Sequence, residues 1–228
     1  LNLFSRLLQK QLKWLKKEKE ETQHYLQQKD YSKLIKMKVT IIDYGAGNVF
    51  SVKAAFERLG KNAILSADTE EIKSSDFVIF PGVGHAEDAM AQLKKTQIDL
   101  LLPKLKQPVL GICLGMQLMC QHTEEGNTDG LGIFEDLKVV KFDPKFKVPH
   151  MGWNNLIETK SILENVQEDV YFVHSYFAPI SKYTIASCQY QEKFSAALQK
   201  DNFFACQFHP EKSGEVGNKI LTNFLNQI

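Results

Sequence analysis

Apolar and polar positions along this chain switch between two periods, and the switches lay out a series of strand–turn–helix units. Val39 to Asp43 is an apolar run of strand type, and Gly45-Ala46-Gly47-Asn48 then turns the chain. Val52, Ala55, Phe56 and Leu59 recur at helical spacing; Asn48 is placed to cap that helix and Gly60 to stop it. Ala63–Leu65 and Phe77–Phe80 read as second and third strands. Ala86, Met90, Leu93 and then Leu100–Leu102 predict a helix that stops near Pro103. Val109–Ile112 is a fourth strand, and an apolar helical pattern follows it at once, ending at Glu124-Glu125-Gly126. Strands alternating with helices at this spacing imply right-handed crossovers and a doubly wound, mostly parallel α/β sheet.

From Phe134 the pattern changes to short strands with turns: Leu137–Lys141, Val170–His174, Thr184–Gln189, Ala196–Gln199 and Phe203–Phe208. These predict an antiparallel extension of the sheet. Val148-Pro149-His150-Met151-Gly152-Trp153-Asn154 reads as a loop, and Val216, Ile220, Leu221, Phe224, Leu225 and Ile228 predict a closing helix.

The candidate chemistry sits at strand ends. Gly111-Ile112-Cys113-Leu114-Gly115 has the G-x-C-x-G form of a nucleophile elbow, where a tight strand-to-helix turn presents a side chain. Glycines are needed on both sides because a Cβ would clash in so sharp a turn. The following helix aims its positive end at the sulfur and favours thiolate. The final strand delivers His209-Pro210-Glu211. An imidazole can share the thiol proton, and a carboxylate two residues on can fix its tautomer, so Cys113, His209 and Glu211 form a candidate triad. In Pro81-Gly82-Val83-Gly84 the glycines leave backbone N–H groups accessible, which suits an anion or oxyanion cradle or a plain turn. The other histidines, His24, His85, His122, His150 and His174, read as structural.

Composition narrows the function class. The chain has 228 residues, 43% of them apolar, and a net charge of +1, which points to neither nucleic acid nor membrane. No apolar run of the ~18 residues needed for a membrane helix is present. The four cysteines, Cys113, Cys120, Cys188 and Cys206, show no C-x-x-C spacing, which suggests free thiols and a cytoplasmic location. Gly45-Ala46-Gly47 is not a dinucleotide fingerprint, since Phe50 holds the third glycine position. No phosphate loop or metal-ligand cluster is visible, so no cofactor and no metal are expected. Residues 1–36 differ from the rest: nine Lys and Arg against four acids leave that segment at +5, without Gly or Pro. Leu3, Phe4, Leu7, Leu8, Leu12, Trp14 and Leu15 give it a basic amphipathic pattern that reads as a partly helical or disordered tail, or as translated sequence ahead of a start at Met37.

Gly111–Gln117 together with His209-Pro210-Glu211 resembles the class I, triad-type glutamine amidotransferases. Asp43–Asn48, Pro149–Asn154, Tyr171–Tyr176, Pro81–Gly84 and Lys212-Ser213-Gly214 narrow the resemblance to the glutaminase subunits of imidazole glycerol phosphate synthase, the HisH family. The match spans Met37 to Ile228 and leaves 1–36 as an extension outside the family. It implies a flavodoxin-like fold and hydrolysis of L-glutamine to glutamate and ammonia by Cys113, His209 and Glu211. Backbone N–H groups of Leu114 and of Gly82–Val83 would hold the oxyanion. Gln117, Glu125 and the backbone around His174, Ser175 and Tyr176 would bind the substrate. The implied partner is the (β/α)₈ cyclase HisF, which takes the ammonia and converts PRFAR to imidazole glycerol phosphate and AICAR in histidine biosynthesis. Asn48 and Trp153 match positions at that interface, against simpler readings as a helix cap and a core anchor.

Three other readings keep parts of this pattern. A paralogue could supply ammonia for amidation of surface sugars. A cysteine hydrolase on an α/β-hydrolase-like fold would act on esters or peptides and not on glutamine. A docking subunit without catalysis is argued against by the intact Cys113, His209 and Glu211.

Overall fold

The computed structural model describes residues 37–45 and 48–227. The basic amphipathic segment 1–36, Ala46 and Gly47 of the first turn, and Ile228 lie outside the described residues.

The first half alternates as expected. β1 (Val39–Ile42) leads into α1 (Val49–Arg58), β2 (Ala63–Ser66), α2 (Thr69–Lys73) and β3 (Phe77–Gly82). Asn48 caps α1, its side chain accepting from Ser51 N at 3.4 Å, and Gly60 follows the C-cap with φ 71°. The helix expected over Ala86–Leu102 is broken. α3 (Ala86–Thr96) stops at Gln97, which adopts φ 59°, and a short α4 (Ile98–Leu101) follows. β4 (Val109–Cys113) then feeds α5 (Leu114–Met119).

Here the structure corrects the sequence reading. α5 ends at Met119 rather than Glu124, and β5 (Cys120–Thr123) continues the chain, pairing with β6 (Thr128–Asp129) and β7 (Phe134–Lys141). All six residues of α5 are buried, so no polar face marks where its helical phase stops. The stretch expected to be a loop at 148–154 contains a strand, β8 (His150–Asn154), paired antiparallel with β9 (Val170–His174) as a separate two-stranded ribbon. Its alternation is inverted: His150 is buried while Met151 and Trp153 are exposed, so the usual hydrophobic signal has the wrong phase. β10 (Tyr176–Pro179), also unanticipated, precedes β11 (Thr184–Gln189), β12 (Lys193–Lys200), β13 (Phe203–Cys206) and α6 (Gly214–Leu225).

The main sheet runs β2-β1-β3-β4-β13-β12-β10-β7-β5-β6, with β11 beside β12. The first five strands in that order are mutually parallel, and β12, β10 and β11 extend them antiparallel. The strand order reverses after β1, so right-handed crossovers put α1 on one face and α2, α3 and α5 on the other. α6 returns to the α1 face, where Phe224 meets Phe77 of β3 at 5.4 Å and Phe204 of β13 at 5.7 Å, both edge-on. Under the antiparallel extension Phe142, Phe172, Phe177 and Phe194 form an aromatic core, with Phe142 and Phe177 stacked at 4.4 Å. Burying each such ring contributes roughly 1.5–3 kcal/mol. This cluster seats the β8–β9 ribbon against the sheet, beside the carboxyl ends of β3, β4 and β13.

Candidate active site

Parallel register brings the chemistry together. Gly82 at the end of β3 lies opposite Cys113 at the end of β4, and Cys206 of β13 lies opposite Ile112. Cys113 has φ 54° and ψ −111°, a strained conformation for a residue with a side chain, costing on the order of 1–3 kcal/mol. The surrounding structure enforces it. A Cβ on Gly115 would stand 2.0 Å from the Phe80 carbonyl oxygen, and one on Gly111 would stand 2.4 Å from the Met119 sulfur. Gly115 is thus required where β3 and the first turn of α5 touch through their backbones, and Gly111 where β4 passes under the Met119 side chain.

Cys113 and His209 line one cavity of about 330 Å³. His209 Nδ1 donates to Glu211 Oε1 at 2.8 Å, and both residues are buried. Burial by itself would lower the imidazole's pKa. The Cys113 sulfur and the Glu211 carboxylate outweigh it and hold the pKa up to about 10. Beside a charged sulfur His209 holds its proton at neutral pH, and among the described residues its Nε2 meets no partner at hydrogen-bond distance. The segment is clamped from outside: His209 N donates to Tyr171 O at 2.8 Å, Ser213 Oγ donates to His209 O at 2.7 Å, and Tyr171 N donates to Ser213 Oγ at 3.0 Å. Arg58, at the end of α1, donates to the Glu211 carbonyl at 3.3 Å.

The cavity also takes in most of the other expected residues. Val83, Leu114, Gln117, Glu125, His174, Ser175 and Tyr176 line it. Gly82 instead lines a smaller recess with Asn48, His209 and Glu211. Burial raises the Glu125 carboxyl's pKa, opposed by the Ala86 N–H that donates to it at 3.0 Å. That contact also satisfies the N-terminus of α3, where His85 supplies no side-chain cap. Trp153 lies outside the cavity and is 57% exposed, which excludes the core-anchor reading; it stands edge-on to Tyr171 at 5.9 Å. Asn48 does act as a helix cap.

Two features escaped the sequence reading. The side chains of His150 and His174, read as structural, form a buried relay: Asn154 Nδ2 donates to His150 Nε2 at 3.3 Å, His150 Nδ1 to His174 Nε2 at 2.9 Å, and His174 Nδ1 to Tyr176 O at 2.8 Å. Burial lowers His150 to about 4 and His174 to about 3, so both are neutral and each ring nitrogen has one defined role. The second feature is Gln207, wholly buried, with Nε2 at 3.8 Å from Cys113 Sγ. Its signal was present as the one polar residue in the apolar run Phe203–Phe208. Among the described residues no cluster able to hold a metal ion occurs, and no helix is long and apolar enough to cross a membrane.

Comparison with known proteins agrees with this geometry. The family model "Glutamine amidotransferase class-I" matches residues 40–228. The chain is 55% identical to the imidazole glycerol phosphate synthase subunit HisH of Bacteroides fragilis (strain YCH46), over 83% of this chain and 99% of that protein. It is 53% identical to the subunit of the same name from Bacteroides thetaiotaomicron, over 83% of this chain and all of that protein. Among solved structures, PurLQS from Thermotoga maritima superposes with a TM-score of 0.65 at 17% identity, covering 84% of this chain and 99% of that one, a likeness of fold.

Proposed function

The chain belongs to the class I glutamine amidotransferases and, within them, to the HisH family, and from that footing we propose how its residues divide the work. It is the glutaminase subunit of an imidazole glycerol phosphate synthase. The supporting observation is Cys113 and His209 lining one cavity, with Glu211 at 2.8 Å from the imidazole.

The Cys113 sulfur, paired with protonated His209, attacks the side-chain amide carbon of L-glutamine. The carbonyl π electrons move to oxygen, and backbone N–H groups of Leu114 and Val83 hold the resulting oxyanion. Gly82 and Gly84 leave that strand end free of bulk. As the tetrahedral species collapses, His209 gives its Nε2 proton to the departing nitrogen and ammonia leaves a glutamyl thioester. Neutral His209 then takes a proton from water, the hydroxide adds to the thioester, and collapse expels the sulfur and yields glutamate. Glu211 keeps the imidazole in one tautomer and stabilises its charged form throughout.

At the other end of the substrate, Gln117 Nε2 is already committed to Tyr176 O and to Gln207 Oε1, both at 3.0 Å. Only its Oε1 remains, an acceptor for the substrate ammonium. The Glu125 carboxylate pairs with the same ammonium. Free ammonia would protonate in water, so a closed route to the acceptor is useful. We assign the acceptor to a HisF-type (β/α)₈ cyclase docked in a cytoplasmic heterodimer against the face bearing Trp153 and Asn48. Residues 37–228 are the amidotransferase domain.

The test is ammonia release from glutamine with and without a candidate cyclase and PRFAR. Activity in the complex, lost in Cys113→Ser, is the expected result; retention of activity in Cys113→Ser overturns the nucleophile assignment.

A further inference from the structure

The Cys113 sulfur lies between a half-buried carbonyl and a buried side-chain amide with opposite preferences. The Val173 carbonyl oxygen, at 3.9 Å, can only accept, and so favours the thiol with its proton. The Gln207 side-chain nitrogen, at 3.8 Å, can only donate, and so favours the thiolate. Which atom of the Gln207 amide faces the sulfur is settled by a chain of partners. Tyr176 O accepts only, so the NH₂ of Gln117 must turn toward it. The same NH₂ reaches Gln207 at 3.0 Å, so the atom it meets is the acceptor Oε1. That leaves Nε2 of Gln207 on the sulfur. The backbone leaves no slack, since Gln207 N donates to Ala196 O at 2.8 Å.

A fully buried primary amide just past an apolar strand is a poor choice for packing alone. A methionine or leucine would fill the volume without polar groups to satisfy. We propose that Gln207 is a catalytic residue of the thiol chemistry: its amide N–H holds the Cys113 sulfur as thiolate against Val173, and Gln117 fixes the orientation of that amide. The donor is neutral and keeps its proton throughout the cycle, whereas His209 gives its proton away and regains it. The same link joins the ammonium-binding end of the cavity, through Gln117, to the nucleophile. What the thiolate then attacks rests on the glutaminase reading; the contact itself does not.

The test separates the two. Alkylation of Cys113 by iodoacetamide at neutral pH, followed by mass spectrometry of the Cys113 peptide without glutamine or partner, reads the sulfur alone. Gln207→Met keeps the side chain's length and removes the donor; its alkylation rate should fall about tenfold or more, as for losing a hydrogen bond to a charged group. Gln207→Glu, which sets a carboxylate against the sulfur, should be slower still. In the complex, kcat for glutamine should fall; a rise in KM with kcat unchanged would place the effect in the loosened Gln117 and overturn the role at the sulfur. If Gln207→Met does not fold, as judged by its melting curve, Gln207→Asn reads the same quantity, because its shorter arm withdraws the N–H from the sulfur. Alkylation of the folded variants within about twofold of the parent overturns the proposal, being far below the loss of such a bond. Slowed alkylation in a protein that never releases ammonia from glutamine would sink the glutaminase reading and leave the contact standing.

Discussion

The main-chain N–H of His209 donates to the carbonyl of Tyr171 at 2.8 Å, so this cavity-lining histidine hangs from the same ribbon that carries the exposed Trp153. Trp153 lies on β8, Tyr171 opposite it on β9, and their rings meet edge-on at 5.9 Å. A partner pressing on the indole would therefore push on the strand that holds the imidazole segment.

Trp153→Ala should weaken cyclase binding by about tenfold or more, the loss typical of a central aromatic anchor. The isolated subunit should keep its melting temperature, because the indole is largely in solvent. Calorimetric titration with the cyclase and a melting curve check both halves. Unchanged affinity would move the interface elsewhere.

Ser213→Ala removes the hydroxyl that accepts from Tyr171 N and donates to His209 O. His209 O keeps the Lys212 N–H at 3.0 Å, but the half-buried Tyr171 N–H loses its acceptor, which should cost about 1–3 kcal/mol. For a domain of this size that lowers the melting temperature by several degrees, at roughly 2–4 °C per kcal/mol. Glutaminase turnover should fall as well, because the imidazole loses its clamp. A variant as stable and as active as the parent would show the clamp to be dispensable.

Stability should fall on both sides of neutrality, for opposite reasons. His150 and His174 have folded pKa values of about 4 and about 3 against 6.5 when unfolded. As the pH drops below 6.5 the unfolded chain takes up protons that the folded chain refuses, so stability is lost toward pH 3–4. His209 is raised from 6.5 to about 10, so its contribution is fully present below 6.5 and lost as the pH rises to 10. Each limb should span on the order of a few kcal/mol. Urea unfolding across pH 4–10 measures it, and His209→Gln should flatten the alkaline limb alone. An alkaline limb as steep in that variant would assign the loss to other groups.

Gly115→Ala would drive a methyl group to 2.0 Å from the Phe80 carbonyl oxygen, which is backbone and cannot swing away. The elbow must open to accept it. Destabilisation of about 3 kcal/mol is expected, at the upper end for overpacking, with loss of glutaminase activity. A melting temperature within a degree or two of the parent would mean that the turn is softer than its contacts imply.

Much of this molecule was legible before folding because the signals are local. The strand–turn–helix units up to Cys113 follow from periodicity and from glycine and asparagine at the turns, and Asn48 and Gly60 bound α1 where expected. The elbow was legible because its glycines are adjacent in sequence to the cysteine they serve. The reading failed where local pattern and environment part company. α5 offers no polar face to mark its end, and β8 points its large apolar residues outward.

The sequence by itself determined the residue types and the order of the strands that precede them: a cysteine in a glycine elbow, and a histidine and a glutamate just past the last strand. Only the tertiary structure decided that the cysteine and the histidine share one cavity, with the glutamate held against the imidazole, because parallel register sets Cys206 beside Ile112 and Gly82 beside Cys113 across long stretches of chain. It also decided the company they keep. The Gln117–Gln207–Cys113 link and the Asn154–His150–His174–Tyr176 relay join residues from separate segments, and hydrogen-bond direction is set by which groups burial brings face to face. No period along a one-dimensional chain encodes that.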